Sequence, residues 1–591
     1  MIFNSIDAKL FLNAIIQGCQ SLIKARETLN TINVFPVADG DTGDNMAATA
    51  KAITQFSKCH DTLKPTLQSI ANASIMGARG NSGMIFSQFF NGFVDNAPND
   101  NTLTPQAFAD LVLKSTKSVR DAIAEPVEGT IISVMDAWAM SLQQEAPYSL
   151  DIQTLFEKSR PALKQALDHT TETLAVLKEA HVVDAGALGF FHFVEGMHAF
   201  WLNPVINLEP EAPIAPCHHH AHPLEAEPPK HRYCTEALIS GTELSTQDLS
   251  KQLSTFGDSV VITGHHQLCR FHLHTNTPIE VFTKLRQQGL IEQPKVDDML
   301  RQYEMIYHPK HPIALVTDSS ADIPQELLDK YQIHLIPLSL HLDGSHFLDH
   351  FSFNQNQFYD ELATLKSYPT TSFPGPKILE DKLRVITAHY QHVFVFTLAK
   401  ALSGTHESFV QAAKPFDNIT VVDSKTASAT LGLIISKVAE VQASGATKEA
   451  LQNTIAKAVA HTKLFITVNQ VDAMIRSGRL NKITGQIAKF AGLKPILTLD
   501  KDGRVHLADK AFSEQKARDK LIKIVTTTFQ HAPNSRYAIV HAGVPEKAEA
   551  LAAFLSEALG KPPLYITPVT TVLGLHAGKD CLAVAMLTDN D

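Results

Sequence analysis

The segment VADGDTGDN, Val37 to Asn45, poses the question from which the fold of this chain is read. Asp39, Asp41 and Asp44 fall within six residues, and Gly40 and Gly43 among them disfavour a helix. A tight turn crowded with carboxylate is therefore expected. Their repulsion is relieved by raised pKa values, by solvent or by a bound cation. Magnesium takes one or two protein carboxylates and leaves positions for phosphate oxygens, so the turn is a candidate magnesium site. Taken alone, it is better explained as a solvated Asp-Gly turn.

Downstream lies GARGNSGM, Gly77 to Met84. Its three glycines allow close backbone approach, and its amides would cradle phosphate if MIFSQFFNGF opens a helix. A glycine-rich helix connection explains the same residues about as well. No GxxxxGK followed by Ser or Thr occurs, which argues against a Walker-type loop.

Around these motifs, apolar residues recur at helical spacing from Ile6 to Thr31, Pro105 to Ala124 and Ile152 to Ala180, so the first 200 residues read as mainly helical. CHHHAHPLEAEPPKH, Cys217 to His231, has no packing periodicity and reads as a linker. RYCTEALI, SVVITG and CRFHLHTN then read as strands of a small α/β domain, with a helix at STQDLSKQLSTF. From Ile313 onward IALVTD, HVFVFTLA, NITVVDS and YAIVHAG alternate with amphipathic stretches, predicting parallel or mixed sheets flanked by helices.

In the small domain His272 and His274 are two residues apart, which puts both on one face of a strand, and Cys234 on a neighbouring strand can join them. Such a cluster binds zinc, moves protons or simply packs. Sequence alone favours packing.

The motifs NVFPVADGDTGDNM, GARGNSG, PVEGTIISV (Pro126 to Val134) and VVDAGALGF (Val182 to Phe190), in that order, resemble the DhaL (DAK2) nucleotide-binding domain of dihydroxyacetone kinases, above all the version found in bacterial fatty acid kinases. The resemblance implies an all-α eight-helix barrel that binds ATP through Mg2+. Asp39 and Asp41 would be the chief metal ligands, with Asn33 and Asp44 beside them. Gly80, Asn81 and Ser82 would face phosphate, while Gly129, Thr130, Asp184 and Gly186 would line the rest of the nucleotide site. The order of RYCTE, GDSVVITG and HLHTN resembles the central domain of the same kinases, which would bring Cys234, His272 and His274 near the reaction.

ALVTDSSADIP (Ala314 to Pro324), YPTTSFPGP (Tyr368 to Pro376), ALSGTHESF (Ala401 to Phe409), GLHAGKD (Gly574 to Asp580) and the long run from Met474 to Val505 resemble the DegV family of fatty-acid-binding proteins. Taken singly, ALVTDSSADIP reads as a strand ending in a loop, with Pro324 suited to the first turn of the next helix, and the other short motifs as turns and caps. The resemblance implies two α/β subdomains around an apolar tunnel, with Thr371, Ser372, Ser403 and His576 at the carboxylate.

The expected architecture is multidomain: 1–204 a DhaL-like kinase domain, 205–231 a flexible linker, 232–308 a central α/β domain and 313–591 a DegV-like domain. The expected activity is ATP-dependent phosphorylation of a bound fatty acid to acyl phosphate. The alternatives are a kinase of dihydroxyacetone or another small hydroxylated substrate, and a non-catalytic, nucleotide-regulated lipid-binding protein. A homodimer is expected, served by a long-chain fatty acid and by a separate acyl-phosphate-using acyltransferase or fatty-acid carrier.

At 591 residues the chain has room for several domains, and its 44% hydrophobic and 19% charged residues are ordinary for globular protein. A net charge of -10 argues against a nucleic-acid surface. Six scattered cysteines fit a reducing cytoplasm, and no run approaches the roughly 18 apolar residues of a membrane helix.

Overall fold

In the computed structural model of the chain, the FSQFFNGF run lies on one helix whose Phe86, Phe89, Phe90 and Phe93 share a face and pack edge to face with one another. That spacing of three, four and seven residues is what an apolar helix stripe requires. The structure describes residues 3–35, 40–123, 126–204, 227–362, 365, 367–469, 471–476 and 492–588. They form two units, Met1–Gln302 and Tyr303–Asp591.

The first unit begins with helices α1 (Ala8–Thr31), α2 (Thr42–Phe56), α3 (Leu63–Gly77), α4 (Gly80–Asp95), α5 (Pro105–Asp121), α6 (Ile131–Glu145), α7 (Ile152–Thr173), α8 (Ala175–Ala180) and α9 (Ala185–Leu202). Side chains cap α1, α5 and α9. Asp7 accepts from Leu10 N–H, Thr104 precedes Pro105, and Asp184 accepts from Ala187 N–H. The phenylalanine stripe of α4 meets Phe190 and Phe193 of α9, with Phe11, Phe108 and Trp138 in the same buried core. Burying such side chains contributes roughly 1.5–3 kcal/mol each, which makes this core the main stabiliser of the helical part.

One expectation fails here. Gly43 and Asp44 do not extend the aspartate turn but already lie in the first turn of α2. A Cβ at Gly43 would stand 2.0 Å from the Arg26 carbonyl oxygen, so this glycine serves the close crossing of α1 and α2 rather than breaking a helix. The long helix expected through Ala180 also breaks, at Leu174, into α7 and α8.

The rest of this unit is an antiparallel sheet in the order β2-β3-β1-β4, from β1 (Tyr233–Ser240), β2 (Gly257–His265), β3 (Leu268–Thr275) and β4 (Leu290–Asp298), with α10 (Thr246–Leu253) and α11 (Pro278–Leu285). Side chains alternate between its faces. The odd-numbered Phe271 and Leu273 point into an apolar layer where Phe271 meets Phe282 of α11. The opposite face, carrying Cys234, Glu236, Arg270 and His272, turns toward α3 and α4. There Val261 packs with Ala78 and Met84, and Asn91 Nδ2 donates to Thr263 Oγ1.

The described residues of the second unit form three sheets. A parallel one has the order β11-β10-β5-β6: β5 (Ile313–Asp318), β6 (His334–Ile336), β10 (His392–Thr397) and β11 (Ile419–Asp423). A small antiparallel one has the order β8-β7-β9: β7 (Ser339–Leu342), β8 (Ser345–Leu348) and β9 (Thr370–Ser372). A six-stranded mixed sheet has the order β14-β13-β12-β17-β15-β16: β12 (Thr462–Thr467), β13 (Lys494–Leu499), β14 (Val505–Ala511), β15 (Arg536–His541), β16 (Ile566–Pro568) and β17 (Leu582–Leu587). The apolar helix Ala429–Ala443 is buried between strands of the first and last sheets. Pro324, expected in the first turn of the next helix, stands at its N-cap instead. Among the described residues no helix is long and apolar enough to cross a membrane. Most of the expected linker, 205–226, lies outside the described residues.

Candidate functional site

Four helices of the first unit begin with residues singled out by the sequence. α2 starts after Asp41, α4 at Gly80, α6 after Gly129 and Thr130, and α9 after Asp184. Three contacts bring these starts together. A Cβ on Gly80, whose φ is +56, would meet Asn45 Nδ2 of α2 at 2.3 Å. A Cβ on Gly189 of α9 would meet Met46 Sδ at 2.6 Å. The Asp184 carboxylate takes backbone N–H groups of Ile131 and Gly186 as well as Ala187, joining α6 to α9. Burial pushes the Asp184 carboxyl up to about 6, and those three N–H groups oppose the shift. Helix starts carry positive partial charge, so this end suits negative charge, and Asp184 already supplies one carboxylate to the N–H groups of α6 and α9.

Asp41 stands at the N-cap of α2 without capping it through its side chain. Asn33 is buried and its Oδ1 accepts from Thr42 Oγ1 at 2.6 Å, in the same turn. Asp44 faces elsewhere: it is exposed, accepts from Asn30 Nδ2 and pairs with Arg26 at 3.5 Å. Asp39 lies outside the described residues. The glycines of GARGNSG are needed for packing too, because a Cβ on Gly83 would stand 2.8 Å from the Asn45 carbonyl oxygen.

The polar face of the four-stranded sheet meets this end of the helices. Strand register puts Asp258, His274, Cys234 and Asp297 in one row and His272, Glu236 and Lys295 in the next. Cys234 Sγ is 3.7 Å from His272 Nδ1, and the donor atoms of Cys234, His272 and His274 all lie within 4.8 Å of one another. Glu236 is buried beneath them. Its Oε1 accepts the Gly80 N–H at 2.9 Å and lies 3.0 Å from His272 Nδ1. The Gly80 amide, expected at phosphate, is thus engaged by a carboxylate.

Burial alone would raise the Glu236 carboxyl, but Lys295, the His272 hydrogen bond and Arg270 outweigh it and hold the group below its ordinary range. Burial, then the Glu236 charge, pushes the Cys234 thiol up, and burial with His272 beside it lowers His274 to about 3. The Asp41 charge reaches both Cys234 and Lys295, which places the aspartate turn in the same electrostatic neighbourhood. Sequence reasoning does not single out Glu236, Lys295 and Asp297, although each sits at an alternate position of a strand bearing, or pairing with, the Cys/His set.

In the second unit a cavity of about 290 Å³ is lined by Leu464, Ile466, Val468, Met474 and other apolar side chains. Its polar lining includes Thr371 and Ser372 of β9, Ser403 and His576. His576 Nε2 is 3.4 Å from Thr371 Oγ1, His341 Nε2 is 2.8 Å from Ser372 Oγ, and Ser403 Oγ is 2.8 Å from Thr405 Oγ1. The sequence pattern puts all four in irregular segments. In the structure Thr371 and Ser372 are in a strand, and His576 rides on the helix Thr571–Ala577.

Family models match this chain in three stretches: the DAK2 domain over residues 36–199, the FakA-like middle domain of fatty acid kinase over 230–306, and the DegV family over 312–589. The chain is a fusion of these three domains. Among curated proteins it is similar to uncharacterised proteins of Staphylococcus haemolyticus, 31% identical over 316 residues, and of Staphylococcus epidermidis ATCC 12228, 30% identical over 316 residues. Each alignment covers 51% of this chain and 57% of the relative, so the chain spans little more than half the length of these relatives. Among solved structures it is similar to a fatty-acid-binding DegV family protein from Thermus thermophilus and to DegV, a fatty acid binding protein from Bacillus subtilis. Both are 26% identical with a TM-score of 0.44, covering 47% of this chain and 100% of theirs. The helix starts and the aspartate turn accordingly belong to the DAK2 domain, the Cys/His face to the middle domain and the cavity to the DegV domain.

Proposed function

We propose that the chain is a Mg-ATP-dependent phosphotransferase that converts a fatty acid held in the DegV domain into an acyl phosphate and ADP. The observation that carries this reading is the DegV-domain cavity. Its wall is apolar except for hydroxyl and imidazole groups such as Thr371, Ser372, Ser403 and His576, in a chain that also carries DAK2 and kinase-like middle domains. Each buried CH2 of an acyl chain contributes about 0.8 kcal/mol, so the apolar wall supplies affinity and the polar cluster orients the head group. A fatty acid carboxylate is already a nucleophile, so transfer needs positioning and charge stabilisation rather than a strong base.

In the DAK2 domain Asp39, Asp41 and Asn33 would hold Mg2+ through oxygen, a donor set that fits this ion; Asp44, tied to Arg26, contributes least. Magnesium supplies neutralisation of the phosphate charge. The start of α4 at Asn81 and Ser82 would orient phosphate through backbone N–H groups, while Gly129, Thr130, Asp184 and Gly186 would line the rest of the nucleotide site, the N–H groups of Gly129, Asp184 and Gly186 being already taken within the protein. The Cys234, His272 and His274 set would fit a zinc ion with one position left, and the buried His272 Nε2 makes no hydrogen bond. Fusion of kinase and lipid-binding domains raises their effective concentration. The same reading divides the chain at 1–204, 205–231, 232–308 and 313–591, makes the helical part an eight-helix barrel in which α7 and α8 count as one broken helix, and expects a cytoplasmic homodimer served by a separate acyltransferase or fatty-acid carrier.

Purified chain incubated with Mg-ATP and oleate should yield a hydroxylamine-trappable acyl phosphate, with dihydroxyacetone giving none. Transfer to dihydroxyacetone alone, or to neither compound, would defeat the reading.

A further inference from the structure

We propose that Glu236 is a positioning residue of this site: through one carboxylate oxygen it ties the start of α4 to the His272 imidazole. This role deepens the kinase reading and rests on it for its purpose.

Three donors converge on that single oxygen. Gly80 N–H lies at 2.9 Å, His272 Nδ1 at 3.0 Å and Cys234 Sγ at 3.8 Å from Glu236 Oε1. Gly80 and Glu236 are 156 residues apart and belong to different domains, so this hydrogen bond is a direct link between the DAK2 and middle domains. Glu236 is 1% exposed, and strand pairing sets it between His272 on one side and Lys295 on the other.

The tie has two consequences. Gly80 adopts a φ of +56 and is pressed against Asn45 of α2, so the loop is held on one side by Asn45 and on the other by Glu236. On the sheet, Nδ1 of His272 must carry the proton to donate to the carboxylate. Nε2 then keeps its lone pair, and this atom is buried without a hydrogen-bond partner. A carboxylate behind an imidazole fixes its tautomer and ring orientation in this way, and behind a metal-ligating imidazole its loss commonly costs about 10- to 100-fold in metal affinity or activity. Phosphate loop and imidazole would therefore be held in register by one side chain.

The experiment compares E236Q, E236D and E236A in the full chain, measuring acyl phosphate formation from Mg-ATP and oleate together with the affinity for Mg-ADP. Gln keeps an acceptor oxygen in place without charge, whereas Asp keeps the charge but is too short to reach both donors. Positioning predicts that E236A lowers kcat about 10- to 100-fold, that E236Q recovers most of the loss and that E236D does not, with oleate affinity unchanged throughout. Activity of E236A within twofold of the parent, or E236D equal to or better than E236Q, would overturn it. If E236A does not fold, the ranking of E236Q over E236D decides. If the parent chain makes no acyl phosphate, the kinase reading falls, and the tie is then judged by Mg-ADP affinity. The same ranking there supports it, and equal affinities in all variants overturn it.

Discussion

Thr371 Oγ1 lies 3.4 Å from His576 Nε2 although 205 residues separate them. Both line the DegV-domain cavity, so strand β9 and the helix Thr571–Ala577 present their polar groups to one point of an apolar wall. A hydrogen bond to a charged group contributes about 1.5–3 kcal/mol. Thr371→Val, Ser403→Ala and His576→Ala are each expected to weaken oleate binding about 10-fold or more without altering Mg-ADP binding. Titration with a fluorescent fatty acid reads this directly, and three unchanged affinities would move the head group elsewhere.

The aspartate turn divides into unequal members. Asp41→Asn should abolish Mg-dependent ADP binding and leave fatty acid uptake intact. Asp44→Asn removes only an exposed pair with Arg26, a contact of roughly 0–1 kcal/mol, and should leave nucleotide binding within twofold. Calorimetry on the two variants separates them. Equal loss in both would restore Asp44 to the metal site.

How far the sequence discloses this arrangement depends on which force sets each element. The amphipathic helices, the strands of the middle domain and the alternation after Ile313 are local patterns, and they recur in the structure at nearly the boundaries their periodicity implies. His272, His274 and Cys234 are legible as a set because a two-residue spacing fixes strand face. Glu236 is not, since its importance comes from Gly80 on another domain. Gly43 reads as a helix breaker because its neighbour, the Arg26 carbonyl, is defined only by the crossing of α1 and α2.

That crossing gives a stability test. Gly43→Ala would place a methyl group 2.0 Å from the Arg26 carbonyl oxygen and 2.6 Å from Asn30 Oδ1, so the helices must separate. Overpacking of this kind costs about 1–3 kcal/mol. Gly375→Ala is the control: its Cβ would meet nothing within 4 Å and its φ is -63, so it brings no overpacking, only the loss of a glycine N-cap of the helix Pro376–His389 in the second unit, up to about 1 kcal/mol. Scanning calorimetry should show the first-unit transition lowered by Gly43→Ala alone. No change there would mean that α1 and α2 slide apart freely.

Behind the cavity, Asp322 links three segments of the DegV domain: its carboxylate accepts from Ser428 Oγ and from Thr570 N–H at 2.8 Å, just before the helix that bears His576. Burial pushes this carboxyl up to about 7 and the neighbouring Asp318 up to about 6, while the nearby Asp349 charge adds to both shifts and Asp349 is itself raised. The native state therefore keeps the Asp322 proton over a range where the unfolded chain, with a value near 3.8, has lost it. Its stabilising contribution is complete below about pH 4 and declines as pH rises to about 7, by at most about 1.4 kcal/mol per pH unit. Asp322→Asn cannot ionise. Relative to the parent, its DegV-domain transition in urea should become more stable on going from pH 5 to pH 7, whatever its absolute level, because only in the parent does unfolding release the Asp322 proton over that range. A stability difference that does not vary with pH would show that the Ser428 and Thr570 hydrogen bonds fully stabilise the carboxylate. The link to the His576 helix would then be insensitive to protonation.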